Sequence, residues 1–344
     1  MRRGVRAALL GAAAAAVFAA GFGVGRRSVP RGPATGADSY EIRAGGHSYT
    51  NPLLECEVGG ERLYRAIRPF GAGLEKLAPT LAGEGRVDDV AVYFRDLNNG
   101  AWIGWHEQQQ FVPASLAKLP IVLAAFLQAD ADPAFLARTI VYQGGPAEAD
   151  PDFANPESNL ERGRVYTVDE LIRRIARFSD NASANLLAGV LPPGLLARVY
   201  ADLGIDPERA ASGTVSLSPK EYGAFFRVLY NASYLSRGNS ERALRYLDDS
   251  TFELGLVAGV PAGVHVSHKF GVWEEARGGG AAPLQLHDCG IVYHPNRPYL
   301  LCVMTTGANY VRMATAIEAV SRFVWQEVEN DLERPGLGPP TGGG

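Results

Sequence analysis

The sequence predicts an α+β fold. It is an α-β-α sandwich in which an antiparallel sheet is covered by N- and C-terminal helices and interleaved with a helical domain. Three observations carry this. Alternating strand patterns occur near residues 88–107 and return only after residue 262. The stretch from Ser115 to about Leu217 reads mainly as helices and loops. A long amphipathic stretch closes the chain.

Residues 1–27 begin with Arg2, Arg3 and Arg6 and continue as an uncharged Ala/Gly/Val-rich run from Ala7 to Gly25. This is an export signal or a single membrane anchor, and either places the body outside the cytoplasm. Ala19-Ala20-Gly21 offers a small-residue cleavage site, whereas Arg26-Arg27 suits an uncleaved anchor. Residues 28–59 read as a linker and 335–344, rich in Gly and Pro, as a flexible tail. The folded domain is expected over 60–334. Its sheet part covers about 60–111 and 219–334, and the helical insert about 112–218.

Within that domain a helix is expected around Glu61–Leu81, interrupted by Pro69 and Gly71. "DDVAVYFRDL", the turn Asn98-Asn99-Gly100 and "AWIGWHE" make a hairpin. Thr167-Val168-Asp169-Glu170 is a capping box ahead of "LIRRIARF". A helix follows at "ASANLLAGVL", and another over Pro219–Leu235. Three strands come next: "GVHVSHKFGVW", "LQLHDCGIVYH" and "YLLCVMTTG". The last helix spans Tyr310–Leu332, with Val311, Ala314, Ile317, Phe323, Val324 and Val328 on one face.

Bulk composition excludes some functions. The chain has 344 residues, 47% hydrophobic and 20% charged, with net charge −4. That is an ordinary globular protein without the basic stripe of a nucleic-acid binder. The three cysteines do not form a disulfide framework. If the last hairpin turns through His294–Pro298, Cys302 faces Ile291, so Cys56, Cys289 and Cys302 read as free packing residues. His265 and His268 fall on opposite strand faces, and His287 and His294 lack a ligand spacing, so neither a metal nor a cofactor is expected. Trp102, Trp105, Trp273 and Trp325 read as core or cleft wall. The glycines at 278–280 read as a hairpin tip on the cleft rim.

The lysines are informative because only four occur among 33 Lys and Arg. Lys118 stands three positions after Ser115, on one face of a helix start marked by Pro120. A serine hydroxyl needs a base, and lysine can serve where arginine cannot. Keeping that lysine neutral at pH 7 requires its surroundings to oppose its charge by about 5 kcal/mol. Burial and a second cation can do this. Taken alone the pair is a weak signal. Ser179-Asp180-Asn181, between two helices, is in isolation most simply a cap. Lys269, before Gly271 on a strand, is in isolation a guard against edge aggregation.

The three motifs together are far more specific. In order and spacing they resemble the penicillin-recognising serine enzymes, the class A β-lactamase and D-alanyl-D-alanine peptidase superfamily, over about residues 60–332. The resemblance implies that Ser115 is acylated, Lys118 is the base, and Ser179 passes the proton to the leaving nitrogen. It implies that Asn181 holds the acyl side-chain amide, and that Lys269 adds positive potential and depresses the pKa of Lys118. The N–H groups of Ser115 and Val272, the latter beside Gly271, would form the oxyanion hole. Asp180 would steer a loop. The implied substrate is a small molecule or peptide, a β-lactam or a peptidoglycan stem peptide, and no cofactor is implied.

Two departures stand out. The strand motif reads Lys269-Phe270-Gly271, without the Thr or Ser hydroxyl that binds the substrate carboxylate in that superfamily. Ser267 and His268 are the candidates to compensate, although alternation puts Ser267 with Lys269 and His268 with Phe270. The loop Gly204–Ser218 is roughly a dozen residues short for a class A enzyme and lacks its Glu-x-x-x-Asn pattern. Glu208 is the only glutamate in it. A long-lived acyl-enzyme is the expectation. The alternatives are a non-turnover penicillin-binding sensor of the envelope, or an envelope protein with a degenerate site.

Overall fold

The computed structural model describes residues 40–43, 48–57, 60–144, 160–207, 216–274 and 284–332. All belong to the compact unit Ser39–Gly344. The N-terminal apolar segment, Glu208, the glycines at 278–280 and the tail at 335–344 lie outside these residues.

A five-stranded antiparallel sheet forms the centre. It contains β3 (Asp89–Asp96), β4 (Trp102–Trp105), β7 (Val266–Trp273), β8 (Leu284–Val292) and β9 (Tyr299–Gly307), in the order β4-β3-β9-β8-β7. Both faces are covered, which is why β8 and β9 are buried almost throughout rather than alternately. Val90, Val92, Phe94, Leu301 and Val303 face the terminal helices. Ala91, Tyr93, Leu300, Cys302 and Met304 face the helical part. Short pairs add β1 (Tyr40–Arg43) with β2 (Leu53–Glu57), and β5 (Thr139–Val141) with β6 (Val165–Thr167).

The terminal helices are α1 (Gly60–Gly83) and α8 (Tyr310–Leu332). The predicted break at Pro69 and Gly71 does not occur. Phe70, Leu74, Ala78 and Leu81 recur at helical spacing and are buried, so packing outweighs the local cost of the breakers. Gly73 lets α1 come close to α8, since a Cβ there would lie 2.5 Å from the Phe323 ring. The last helix has its predicted bounds, but Val311 is 67% exposed. The buried stripe runs instead through Met313, Ile317, Val320, Val324 and Val328, and Val311 sits on the far side of Met313.

On the other face, α2 (Lys118–Ala131) is buried on all sides and forms the axis of the helical part. Around it lie α3 (Val168–Phe178), α4 (Asn181–Val190), α5 (Leu195–Asp202), α6 (Pro219–Tyr230) and α7 (Arg237–Asp248). Thr167 caps α3 through Glu170 N–H at 3.1 Å, at the predicted start. Helix α6 ends at Tyr230, short of Leu235, and Ala232 follows with φ 46°. Helix α7 has no counterpart in the sequence reading, because its "RGNSERALRYLD" is largely polar. Its Ala243, Leu244 and Leu247 nevertheless join the same core as Tyr222 and Phe225 of α6. The helical layer therefore runs on to Asp248 rather than ending at 218.

Two further expectations are corrected. Residues 48–51, read as linker, are docked, Asn51 N–H donating to the Tyr230 carbonyl at 2.9 Å. Glu241 accepts N–H bonds from Ser48, Tyr49 and Thr50 at 2.8–2.9 Å, and the Tyr49 hydroxyl donates to Asp248 at 2.8 Å. Cys289 and Cys302 are not free. They sit directly opposite one another in the β8–β9 register and form a disulfide. Val292 pairs with Tyr299, so the connection is longer than the assumed turn and the register moves by two residues. Only the backbone of Cys56 is described.

Candidate active site

Ser115 lies in a 3₁₀ turn, Ala114–Ala117, that runs directly into α2 at Lys118. Leu116 N–H donates to the Pro113 carbonyl at 2.9 Å, and the buried Tyr222 hydroxyl donates to the Leu116 carbonyl at 3.0 Å. Ala114 takes φ 50°. A non-glycine residue in that region carries about 1–2 kcal/mol of strain. Ser115 is half-buried.

The predicted catalytic residues converge. Lys118 Nζ is 2.8 Å from Ser115 Oγ. It also bonds the Ser179 carbonyl and lies 3.2 Å from Ser179 Oγ. Lys269 Nζ approaches the same Ser179 oxygen at 2.8 Å and donates to the Phe270 carbonyl at 2.8 Å. Ser179 closes α3 in the left-handed region, φ 58°, where a single polar residue is tolerated at modest cost. Its position between two helices lets the carbonyl and hydroxyl both turn toward α2. Asp180 caps α4 through Ala182 N–H at 3.0 Å, bonds Ser183 and lies 3.5 Å from Arg174. It therefore orders the loop. Asn181, half-buried, opens α4.

Gly271 and Val272 lie on β7, the sheet edge that packs against the Ser115 turn. The approach is close. A Cβ on Gly271 would stand 2.9 Å from the Pro113 carbonyl oxygen and 3.0 Å from Leu116 N.

Lys269 is 1% exposed. Burial, and next the nearby Lys118 charge, push its pKa well below the ordinary lysine value, while Asp288 opposes that shift. Two amines sharing one hydroxyl disfavour two positive charges.

The Phe270 ring borders the site, its centroid 4.4 Å from Lys269 Nζ. It is buried with the terminal-helix core and stacks on Phe252 at 4.3 Å between centroids. Neither proposed substitute for the missing hydroxyl reaches the site. Ser267 donates to the Leu244 carbonyl at 2.7 Å. His268 Nδ1 is 2.8 Å from buried Asp288. Among the described residues no group of three or more His, Cys, Asp or Glu is placed to hold a metal.

The sequence reading missed two site neighbours, Gln285 and His287, both in contact with Val112. Neither belongs to a motif, and the spacing of His287 speaks only to metal ligation. Burial lowers the His287 pKa to about 4. The strain at Ala114 likewise leaves no mark in "PASLAK".

Residues 74–328 match the family described as "Beta-lactamase enzyme family". No curated protein matches the chain. Among solved structures, a mutant PBP-A captured as its acyl-enzyme complex with penicillin G is 22% identical, with TM-score 0.60, over 74% of this chain and 96% of that one. A β-lactamase from Xanthomonas campestris is 20% identical, with TM-score 0.60, over 74% and 97%. A class A β-lactamase from Mycobacterium abscessus is 22% identical, with TM-score 0.60, over 74% and 98%. At this identity they establish a β-lactamase-like fold.

Proposed function

Because the chain belongs to the beta-lactamase enzyme family, we propose that it is an extracytoplasmic serine hydrolase or acyl-transferase working through an acyl-Ser115 intermediate. Its substrates are β-lactam or D-alanyl peptide-type amides. The observation that carries this reading is the chain of contacts Ser115–Lys118–Ser179–Lys269, each link at 2.8–3.2 Å. The Cys289–Cys302 disulfide supports an oxidising compartment.

Ser115 Oγ attacks the carbonyl carbon and gives its proton to neutral Lys118. The proton passes through the Ser179 hydroxyl to the leaving nitrogen as the C–N bond breaks. We assign the single positive charge of the amine pair to Lys269 and the base to Lys118; Asp288 supports this by raising the Lys269 pKa, against the larger lowering by burial and by Lys118. The N–H groups of Ser115 and Val272 receive the oxyanion, and Asn181 holds the acyl side chain. Hydrolysis then needs a water and a base. The segment Gly204–Ser218 lacks the Glu-x-x-x-Asn pattern that supplies the water-activating glutamate in class A enzymes, so slow deacylation is expected.

A fluorescent penicillin or a fluorophosphonate should label wild type but not Ser115→Ala. Lys118→Ala should reduce labelling by at least ~10²-fold with circular dichroism unchanged. Equal labelling of wild type and Ser115→Ala would reject the proposal.

The same short segment favours a second reading, a penicillin-binding sensor that acylates without turning over. Nitrocefin separates the two. Many turnovers per protein exclude the sensor, whereas a single stoichiometric burst supports it.

A further inference from the structure

Val112, three residues ahead of Ser115, has both backbone polar groups held by side chains of β8. Its N–H donates to Gln285 Oε1 at 3.1 Å. Its carbonyl lies 3.0 Å from His287 Nε2. Thr305 N–H donates to His287 Nδ1 at 3.3 Å, so the ring proton sits on Nε2 and points at Val112. His287 is fully buried, edge-on to the Phe111 ring at 5.5 Å. On β7, Gly271 is the register partner of His287 and presses on Pro113 and Leu116. Residues 112–116 thus rest on a bed made by two β8 side chains and the β7 backbone.

That segment needs such a bed. Phe111 and Leu217 exchange two backbone bonds of 2.9–3.0 Å, and Pro113 has no N–H to contribute. Between that bridge and the turn, Val112 offers the anchoring donor and acceptor. Ala114, at φ 50°, follows directly. Strained residues persist only where their surroundings over-determine them.

We infer that His287 and Gln285 are positioning residues, which fix the Val112 backbone and thereby aim the Ser115 hydroxyl and its N–H at the bound carbonyl. The inference rests on the reading of Ser115 as the nucleophile. A misplacement of about 1 Å transmitted to a nucleophile can slow the chemical step ~10²-fold.

The test uses the full chain and stopped-flow acylation by a fluorescent penicillin, which separates non-covalent Kd from the acylation rate constant. His287→Leu should lower the rate constant ~10²-fold and leave Kd unchanged. Gln285→Leu should lower it in the same direction. His287→Gln, whose amide can still donate to Val112, should recover most of the rate. Val324→Ala, in the core beneath α8, serves as a control for lost stability and should leave the rate constant unchanged at equal folded fraction. Wild-type rates in His287→Leu and Gln285→Leu would overturn the inference alone, as would equal slowing by Val324→Ala. Should His287→Leu fail to fold, Gln285→Leu and His287→Gln decide it. Wild type left unlabelled by both penicillin and fluorophosphonate overturns the nucleophile reading and this inference with it.

Discussion

Gly271 faces the main chain of the Ser115 turn with no space between. A methyl at that position would meet the Pro113 carbonyl oxygen at 2.9 Å and Leu116 N at 3.0 Å, neither of which is a flexible chain end. Gly271→Ala should therefore push β7 off the turn, costing about 1–3 kcal/mol of stability and slowing acylation. Gly271→Val should be worse on both counts. Thermal melts and probe labelling check this, and an alanine variant labelled at the wild-type rate would show that the turn yields freely. At this scale the sequence was most legible where chemistry fixes residue type. The i,i+3 spacing of Ser115 and Lys118 survives intact in a 2.8 Å contact, although the serine lies in a 3₁₀ turn and only the lysine opens the helix. Alternation along β7 separates Ser267, which bonds Leu244, from Phe270 in the terminal-helix core, but the Lys269 amine still lies 4.4 Å from the Phe270 ring centroid. What it could not give was which partners those side chains find. Ser267, His268 and His287 are all satisfied by residues distant in the chain.

Whole elements were legible in proportion to the strength of their local signals. The α8 bounds follow from an apolar stripe long enough to average out single errors, such as Val311. Helix α7 was invisible because few of its residues are apolar, and its burial is decided by what packs on it. The Cys289–Cys302 pairing turned on register, which the sequence of a connecting loop does not determine. Helix α6 gives a quantitative test. Ser218 Oγ accepts Glu221 N–H at 3.2 Å while Glu221 Oε2 accepts Ser218 N–H at 2.8 Å, a reciprocal cap. This helix carries Tyr222, which supports Leu116 behind the nucleophile. Ser218→Ala should cost about 1 kcal/mol, seen as a lower urea midpoint at unchanged m-value. Acylation per folded molecule should stay at the wild-type level, because Tyr222 keeps its place once the helix is formed. A midpoint equal to wild type would mean that tertiary packing alone sets the start of α6.

The molecule as a whole depends on a histidine that must stay uncharged at the junction of sheet and nucleophile turn. His287 has a folded pKa of about 4 because it is wholly buried, against about 6.5 in an unfolded chain. Between those values the unfolded state binds a proton that the folded state refuses, so stability rises with pH across that window. The contribution is complete above pH 6.5 and is lost progressively as pH falls toward 4, amounting to about 3 kcal/mol. Protonation would also convert Nδ1 from acceptor to donor and set it against Thr305 N–H. Carboxylates titrate in the same range, so the informative quantity is a difference. Urea midpoints of wild type and His287→Gln, measured at pH 7, 5.5 and 4, should converge on acidification, because glutamine carries no charge to penalise. Parallel curves would mean that His287 accepts its proton in the folded state without cost. The bed under residues 112–116 would then be looser and wetter than its packing against Phe111 implies.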